Sequence, residues 1–405
     1  MLNKDWIKKS LGELITIKHG YAFKGIFFSE MGNYILLTPG NFSERDGLVL
    51  KGAKEKYYIG KIPENYILKK DDLIIAMTDL KQSAPYLGAP AFIDKDDLYL
   101  HNQRLGLINI KNENIIDKKF LYWVFQSESF RAKVRGSATG TTVRHTAPKR
   151  IYKIGIDIPK KISQQKKIAV ILSNYDDLIR INKKRILILE KISKLIYEEW
   201  FEKFRFPGHE NINMVDSEVG KMPENWRITK ISDFINFSNG KSVKVNNNGL
   251  YLLYGSNGVI GNSQKYNFEN AIIIGRVGAY CGSVCYCSKK FSASDNTIVA
   301  KSKEDEIYNP FIFYLLKNMN LRKFAGGSAQ PLLTQSTLKN LKIVCPPDEQ
   351  IKTFYFYIKN ILSLRNKILS INNNLSKTRD LLIPKLINGE IDVSDLNINI
   401  TEEDS

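Results

Sequence analysis

The sequence predicts a mixed α/β (α+β) protein: two similar globular domains separated by two long helices packed as an antiparallel coiled coil, in a pseudo-two-fold internal repeat. Three observations carry this. The chain resembles itself, two segments hold a coiled-coil spacing of apolar residues, and the remainder alternates short β-branched and aromatic runs with Gly, Asn and Pro.

Sliding the chain by 220 residues places Trp6 on Trp226, Leu11 on Ile231, Glu13 on Asp233, Leu14 on Phe234 and Gly20 on Gly240 without a gap. Further along, Gly136-Ser137-Ala138 matches Gly327-Ser328-Ala329, and each is followed by a strand-like run ending in proline, at Pro159 and Pro346-Pro347. Then Ser163-Gln164-Gln165 parallels Asp348-Glu349-Gln350, each opening a long helical pattern. The order is globular, helical, globular, helical.

Residues 1–160 form the first globular domain, with strand-like runs such as Leu73-Ile74-Ile75-Ala76. A helix is predicted over Lys118 to Arg135, with Phe120, Leu121, Trp123, Val124, Phe125 and Phe130 as its apolar face. Residues 161–206 form the first long helix. Its four-three seam runs Ile168, Leu172, Tyr175, Ile179, Asn182, Ile186, Leu189, Ser193, Ile196, Trp200, and Asn182 reads as a register-fixing polar residue. Residues 207–222 are a linker. Residues 223–345 form the second domain, whose helix is predicted to start at Asn309-Pro310 with Asn as cap and Pro in the first turn. Residues 346–388 form the second long helix, with the seam Phe354, Tyr357, Ile361, Leu364, Ile368, Ile371, Leu375, Thr378, Leu382. Residues 389–405 are an acidic tail, and the six acids without a base from Glu390 to Ser405 predict a disordered end. Helices of about 33 residues would each reach about 50 Å and overhang a single small domain, so packing on each other hides both seams most simply.

Lys plus Arg number 60 against 42 acids, a net charge of +18 with a pI near 9.4, so a polyanionic partner is expected. No apolar run is long enough for a membrane span, and MLNKDWIKKS lacks the apolar core of a signal peptide, which predicts a cytoplasmic protein. Cys281, Cys285, Cys287 and Cys345 are expected reduced, and C-x3-C-x-C lacks the paired C-x2-C units of a zinc site.

Catalytic patterns are missing. There is no Asn-Pro-Pro-aromatic methyltransferase motif, no Gly-rich cofactor loop in the right spacing, and no Glu-x-Lys of the common metal-dependent nucleases. Gly240-Lys241-Ser242 has Ile235 where a P-loop needs its first glycine, and His19, His101, His145 and His209 are scattered. Neither catalysis nor a bound metal is expected on this chain.

A duplicated domain-plus-helix unit, basic and without a catalytic motif, resembles the specificity (S, or HsdS-like) subunit of type I restriction-modification systems. The opening W-x4-[LI]-x-[DE]-[LF] is similar to the start of that family's target recognition domains, and Gly220-Lys221-Met222-Pro223-Glu224-Asn225-Trp226 to the lead-in of the second. Tyr254-Gly255-Ser256-Asn257-Gly258 and Gly275-Arg276-Val277-Gly278 resemble loops of those domains. Pro346-Pro347-Asp348-Glu349-Gln350 and Leu386-Ile387-Asn388-Gly389-Glu390-Ile391 resemble the start and exit of its second conserved helix, while the first start has drifted to Pro159-Lys160-Lys161-Ile162-Ser163-Gln164-Gln165. The resemblance spans residues 4 to 391.

The resemblance implies a non-catalytic subunit that binds double-stranded DNA, carries two copies of an adenine methyltransferase (M) subunit and recruits ATP-driven restriction (R) subunits. It implies S-adenosylmethionine, Mg and ATP on those partners, with no cofactor on this chain. Two different domains on a rod of fixed length would read an asymmetric bipartite target with a spacer of about one to one and a half helical turns. Loop-like, Gly-flanked stretches give the candidate DNA contacts. In the first domain these are Lys18, Lys24, Thr78, Lys81, Gln103, Arg104, Thr142, Arg144 and His145; in the second, Lys241, Lys244, Ser256, Asn257, Arg276, Tyr280, Gln330 and Thr334. The alternatives are a specificity chain of a type IIB-like or other methylating defence system, and a coiled-coil adaptor that binds no DNA.

Overall fold

In the computed structural model, which describes residues 5–246, 248–327 and 330–400, the repeat in the sequence is a repeat of strand pairings. Ser328 and Ala329 of the Gly-Ser-Ala match lie outside the described residues. The chain divides into two units, Met1–Asn182 with Ser370–Ser405, and Lys183–Leu369. The division falls inside both long helices, so each unit holds one globular domain and a part of each helix.

In the first unit Trp6–Ser10 pairs antiparallel with Gly155–Pro159 just before the first long helix. In the second, Arg227–Lys230 pairs the same way with Lys342–Cys345 before the second. The first domain's main sheet has the order Ile15–His19, Leu105–Ile110, Leu73–Ala76, Pro90–Phe92, all antiparallel. The second domain's has six strands, Ile235–Asn239, Thr297–Ser302, Phe268–Gly275, Val284–Ala293, Tyr251–Gly255 and Gly258–Ser263. The unbroken apolar runs are central strands covered on both faces. Leu73 and Ile75 enter one core while Ile74 and Ala76 enter another, and Ile272 and Ile274 likewise part from Ala271 and Ile273.

The first long helix runs Ile162–Tyr197 and continues as a π-helical turn over Glu198–Glu202; the second runs Asp348–Ile387, passing Pro384 in its last turns. Along the first, Ile168, Leu172, Ile179, Asn182, Ile186, Ser193 and Trp200 are buried, and Tyr175, Leu189 and Ile196 half-buried. Within each unit the two helices run antiparallel: Asn182 Nδ2 donates to Asn372 Oδ1 at 2.8 Å in the first, and Arg365 Nε to Glu190 Oε1 at 2.6 Å in the second.

The second helix turns its seam differently from the expectation. Phe354 and Ile368 are buried, and Ile361, Leu375 and Leu382 half-buried, but Tyr357, Leu364 and Ile371 are 53%, 48% and 42% exposed. The inward positions between them are Ile358, Arg365, Asn372 and Arg379, which complete an unbroken four-three series. Three of those four are polar, and each polar one is partnered across the seam, Arg379 by Asp176. A search for apolar residues therefore slides one position, onto the outer face.

Three further expectations are corrected. The helix over Lys118 to Arg135 is two helices, Lys118–Gln126 and Glu128–Gly136, broken at Ser127, whose extended backbone lets its hydroxyl donate to the Val124 carbonyl and accept from Phe130 N–H. Asn309 does not cap its helix: its amide donates to the Asn270 carbonyl and accepts from Ser302 N–H, tying the helix to the sheet. The tail is ordered where it is described: Val393 is buried in the first domain's core, and Lys167 donates to the Ser394 carbonyl at 2.7 Å. The linker holds a hairpin, Met214–Ser217 with Gly220–Pro223.

Candidate nucleic-acid interface

Both main sheets end in a cluster of loops, and the two clusters share one backbone frame. In the first domain Gly20, just past Ile15–His19, donates to the Leu105 carbonyl, and Tyr21 to that of His101. In the second, Gly240 donates to the Thr297 carbonyl and Lys241 to that of Ala293. The glycines repeat for a steric reason: a Cβ on Gly20 would stand 2.1 Å from the Asn102 carbonyl oxygen, and one on Gly240 1.9 Å from that of Ser294. Only a residue without a side chain fits under this crossing.

The frame continues inward. Met77 N–H donates to the Arg104 carbonyl at 2.9 Å, and Thr146 N–H to the Met77 carbonyl at 3.0 Å. Arg276 N–H donates to the Asn296 carbonyl at 3.0 Å, and Leu333 N–H to the Arg276 carbonyl at 2.9 Å. Thr139 and His145 exchange two backbone hydrogen bonds, as do Gly326 and Leu332. The bonds repeat while the side chains they carry differ.

In the first domain the short strands Thr78–Asp79 and Arg144–His145 pair, bringing Thr78, Lys81, Arg144 and His145 beside Arg104. Lys81 N–H donates to the Asp79 carboxylate at 2.9 Å, and Arg144 Nη2 to the Arg135 carbonyl at 2.8 Å. Gln103, Arg104, Thr142 and His145 are exposed. Lys18 is half-buried: its Nζ donates to the Asn65 carbonyl at 2.5 Å and lies over the Tyr66 ring. Lys24 stands apart, exposed before the turn Gly25–Phe27.

In the second domain Lys241, Lys244, Asn257, Tyr280 and Gln330 are exposed, and Arg276 is half-buried. Three hydroxyls expected to face a ligand are spent internally. Thr78 is buried and bonded to His145 Nδ1 at 3.1 Å, so it orients that imidazole. Ser256 donates to the Asn296 carbonyl at 2.7 Å and accepts from Val277 N–H. Thr334 caps the helix Gln335–Lys339 through Thr337 N–H.

Of the eleven buried side-chain donors and acceptors without a partner among the described residues, five lie here: His101 Nδ1, Arg144 Nε and Thr146 Oγ1 in the first domain, Arg276 Nε and Ser294 Oγ in the second. Each such group costs stability until it finds a partner. Burial holds the His101 imidazole down at about 4, with Nε2 donating to the Leu105 carbonyl at 3.0 Å. Arg150, which donates to Thr139 Oγ1 at 2.9 Å, joins the first cluster without having been singled out in the sequence. Its only signal was a place two residues after Pro148 in a basic loop.

Among the described residues no cluster of His, Cys, Asp or Glu could hold a metal ion, and the four cysteines are unpaired. None of the described helices is long and apolar enough to cross a membrane.

Comparison with known families places this architecture. Residues 3–191 and 223–375 match the type I restriction modification DNA specificity domain, once in each half. The chain belongs to the type I restriction-modification specificity family. Among its relatives in that family, the specificity subunit of the type I restriction enzyme MjaVIII from Methanocaldococcus jannaschii is 23% identical over 97% of this chain and 95% of its own. The specificity subunit of HindI from Haemophilus influenzae is 22% identical, covering 96% of this chain and 100% of its own. The crystal structure of the type I S subunit from M. genitalium shares the fold at a TM-score of 0.60 and 18% identity, over 96% of this chain and 98% of that one.

Proposed function

We propose that this chain is the non-catalytic subunit that reads DNA sequence for a type I restriction-modification enzyme, with residues 1–160 and 223–345 as its two recognition domains. Each domain binds one half of an asymmetric bipartite target through the loops at the end of its main sheet. The observation that carries this reading is the shared hydrogen-bond frame presenting different side chains in the two domains. One frame with two contents is what two different half-sites require.

The basic balance of +18 supplies the sequence-independent attraction to phosphate. The exposed Lys241, Lys244, Lys24 and Lys81 suit phosphates, while Arg104, Arg144, Gln103, Asn257 and Gln330 carry the donor and acceptor sets that read base edges. The long helices set the spacer between half-sites. Their outer faces, where Leu187, Ile188 and Tyr357 are exposed, dock two copies of the methyltransferase subunit, and the restriction subunits join that complex. S-adenosylmethionine, Mg and ATP belong to those partners, in the cytoplasm.

The test is co-expression with the adjacent methyltransferase gene in a methylation-free host, followed by mapping of N6-methyladenine. The expected result is one bipartite motif with a fixed spacer, of which replacing residues 1–160 changes only one half. A complex that forms and methylates no defined motif would overturn the reading.

A further inference from the structure

We infer that Arg276 reads a guanine in the half-site bound by the second domain, an inference that rests on the DNA-reading role proposed above. Arg276 follows the central strand Phe268–Gly275 and is pinned on both sides of its own peptide. Its N–H donates to the Asn296 carbonyl, and its carbonyl accepts from Leu333 N–H and, at 3.2 Å, from Cys281 Sγ. Ser256 Oγ links the same Asn296 carbonyl to Val277 N–H. Three loops thus meet around this one residue.

The side chain is held without being satisfied. Nε is enclosed and has no acceptor, and among the described residues the guanidinium forms no hydrogen bond or ion pair. By contrast, Arg322 of the same domain donates to the Ala279 carbonyl at 2.7 Å, and in the first domain's own cluster Arg144 spends one Nη on Arg135. An enclosed Nε fixes the direction of the fork and leaves the two terminal nitrogens as parallel donors. That geometry matches the O6 and N7 acceptors of guanine in the major groove. A phosphate offers acceptors too, but the exposed Lys241 and Lys244, free to swing, serve a backbone whose position is tolerant. A cation whose root is immobilised at the centre of the loops is suited to an acceptor pair in one fixed place. The equivalent backbone position in the first domain is Met77, 2% exposed, so this contact belongs to the second half-site alone.

The experiment compares the co-expressed wild-type complex with Arg276→Gln and Arg276→Met by methylation mapping and competition binding. The wild type is expected to require a guanine at one position of one half-site. Both variants should lose discrimination there by about 5- to 150-fold, the span of one bidentate contact. Arg276→Gln should in addition gain tolerance for adenine, which glutamine pairs with. Continued reading of the remaining positions of the same half-site shows that the second domain of each variant has folded. A uniform loss of affinity across sequences, with the salt slope lowered by about 0.9, would mean a phosphate contact and overturn the inference. So would an unchanged motif, or relaxation at a position that is not a guanine. Absence of any motif in the wild type fails the DNA-reading role itself and is told apart by that control.

Discussion

Replacing Arg379 by alanine should destabilise the first unit more than any loss of surface charge could. Its side chain is 3% exposed and lies in the helix seam, paired with Asp176, whose own side chain is 27% exposed, and with Asp380 at 2.9 Å, while Asp46 stands 3.8 Å away. Burial opposes the charge, but Asp176 and Asp380 more than offset it and hold the guanidinium above its ordinary pKa. Removing one member of a buried pair typically costs about 3 to 5 kcal/mol because the other charge stays behind. Asp176 and Asp380 keep some access to water, so the lower end, about 3 kcal/mol, applies. At a urea slope of about 2 to 3 kcal/mol per molar, the midpoint of the full chain's first unfolding transition should fall by about 1 M. Arg379→Met with Asp176→Leu removes both charges and should recover to within about 1 kcal/mol of the wild type. If the single and double variants unfold together, the pair is not coupled and the account of the seam is wrong.

Other outcomes follow from the same geometry. Asn182→Leu alone strands the Asn372 Oδ1, while Nδ2 keeps the Ile179 carbonyl, and should cost about 1 to 3 kcal/mol, whereas Asn182→Leu with Asn372→Leu should melt at or above the wild-type temperature in a differential scan. Gly240→Ala forces a Cβ against the Ser294 carbonyl and opens the crossing, so the second half-site should be lost while the first is still methylated; Gly20→Ala should do the reverse. His101 titrates at about 4 folded against 6.5 as the ordinary value. Its contribution is therefore full above pH 6.5 and is lost as pH falls towards 4, about 2 kcal/mol by pH 5, a slope that His101→Gln should remove from urea midpoints taken across that range.

The sequence revealed the first seam because nearly every inward residue of that helix is apolar, and it concealed the second because Arg365, Asn372 and Arg379 occupy inward places. Periodicity detects apolar residues, and a polar residue satisfied by a partner nearly 200 positions away leaves no local trace. Gly20 and Gly240 were visible as a match between the halves; the carbonyls that exclude a side chain there became visible only in the fold. Thr78, Ser256 and Thr334 were chosen by residue type and loop setting. Type does not say whether a hydroxyl is already consumed, and in all three the neighbour that consumes it is fixed by strand pairing or by a helix start. The tail misled for a related reason: Glu390, Asp392 and Asp395 face solvent while Val393 between them finds the core.

The three polar partnerships of the seam act as wards of a lock. Sliding one helix past the other by a heptad in either direction would set Asn182 against Arg365 or Arg379 in place of Asn372. Asp176 and Glu190 would lose the guanidiniums that neutralise them, and at least one arginine would be buried facing an apolar side chain. Each misalignment carries the penalty of uncompensated charge, whereas the apolar positions alone would tolerate the slip. The cost in stability of a polar seam is thus matched by a single permitted alignment of two long, otherwise self-similar helices.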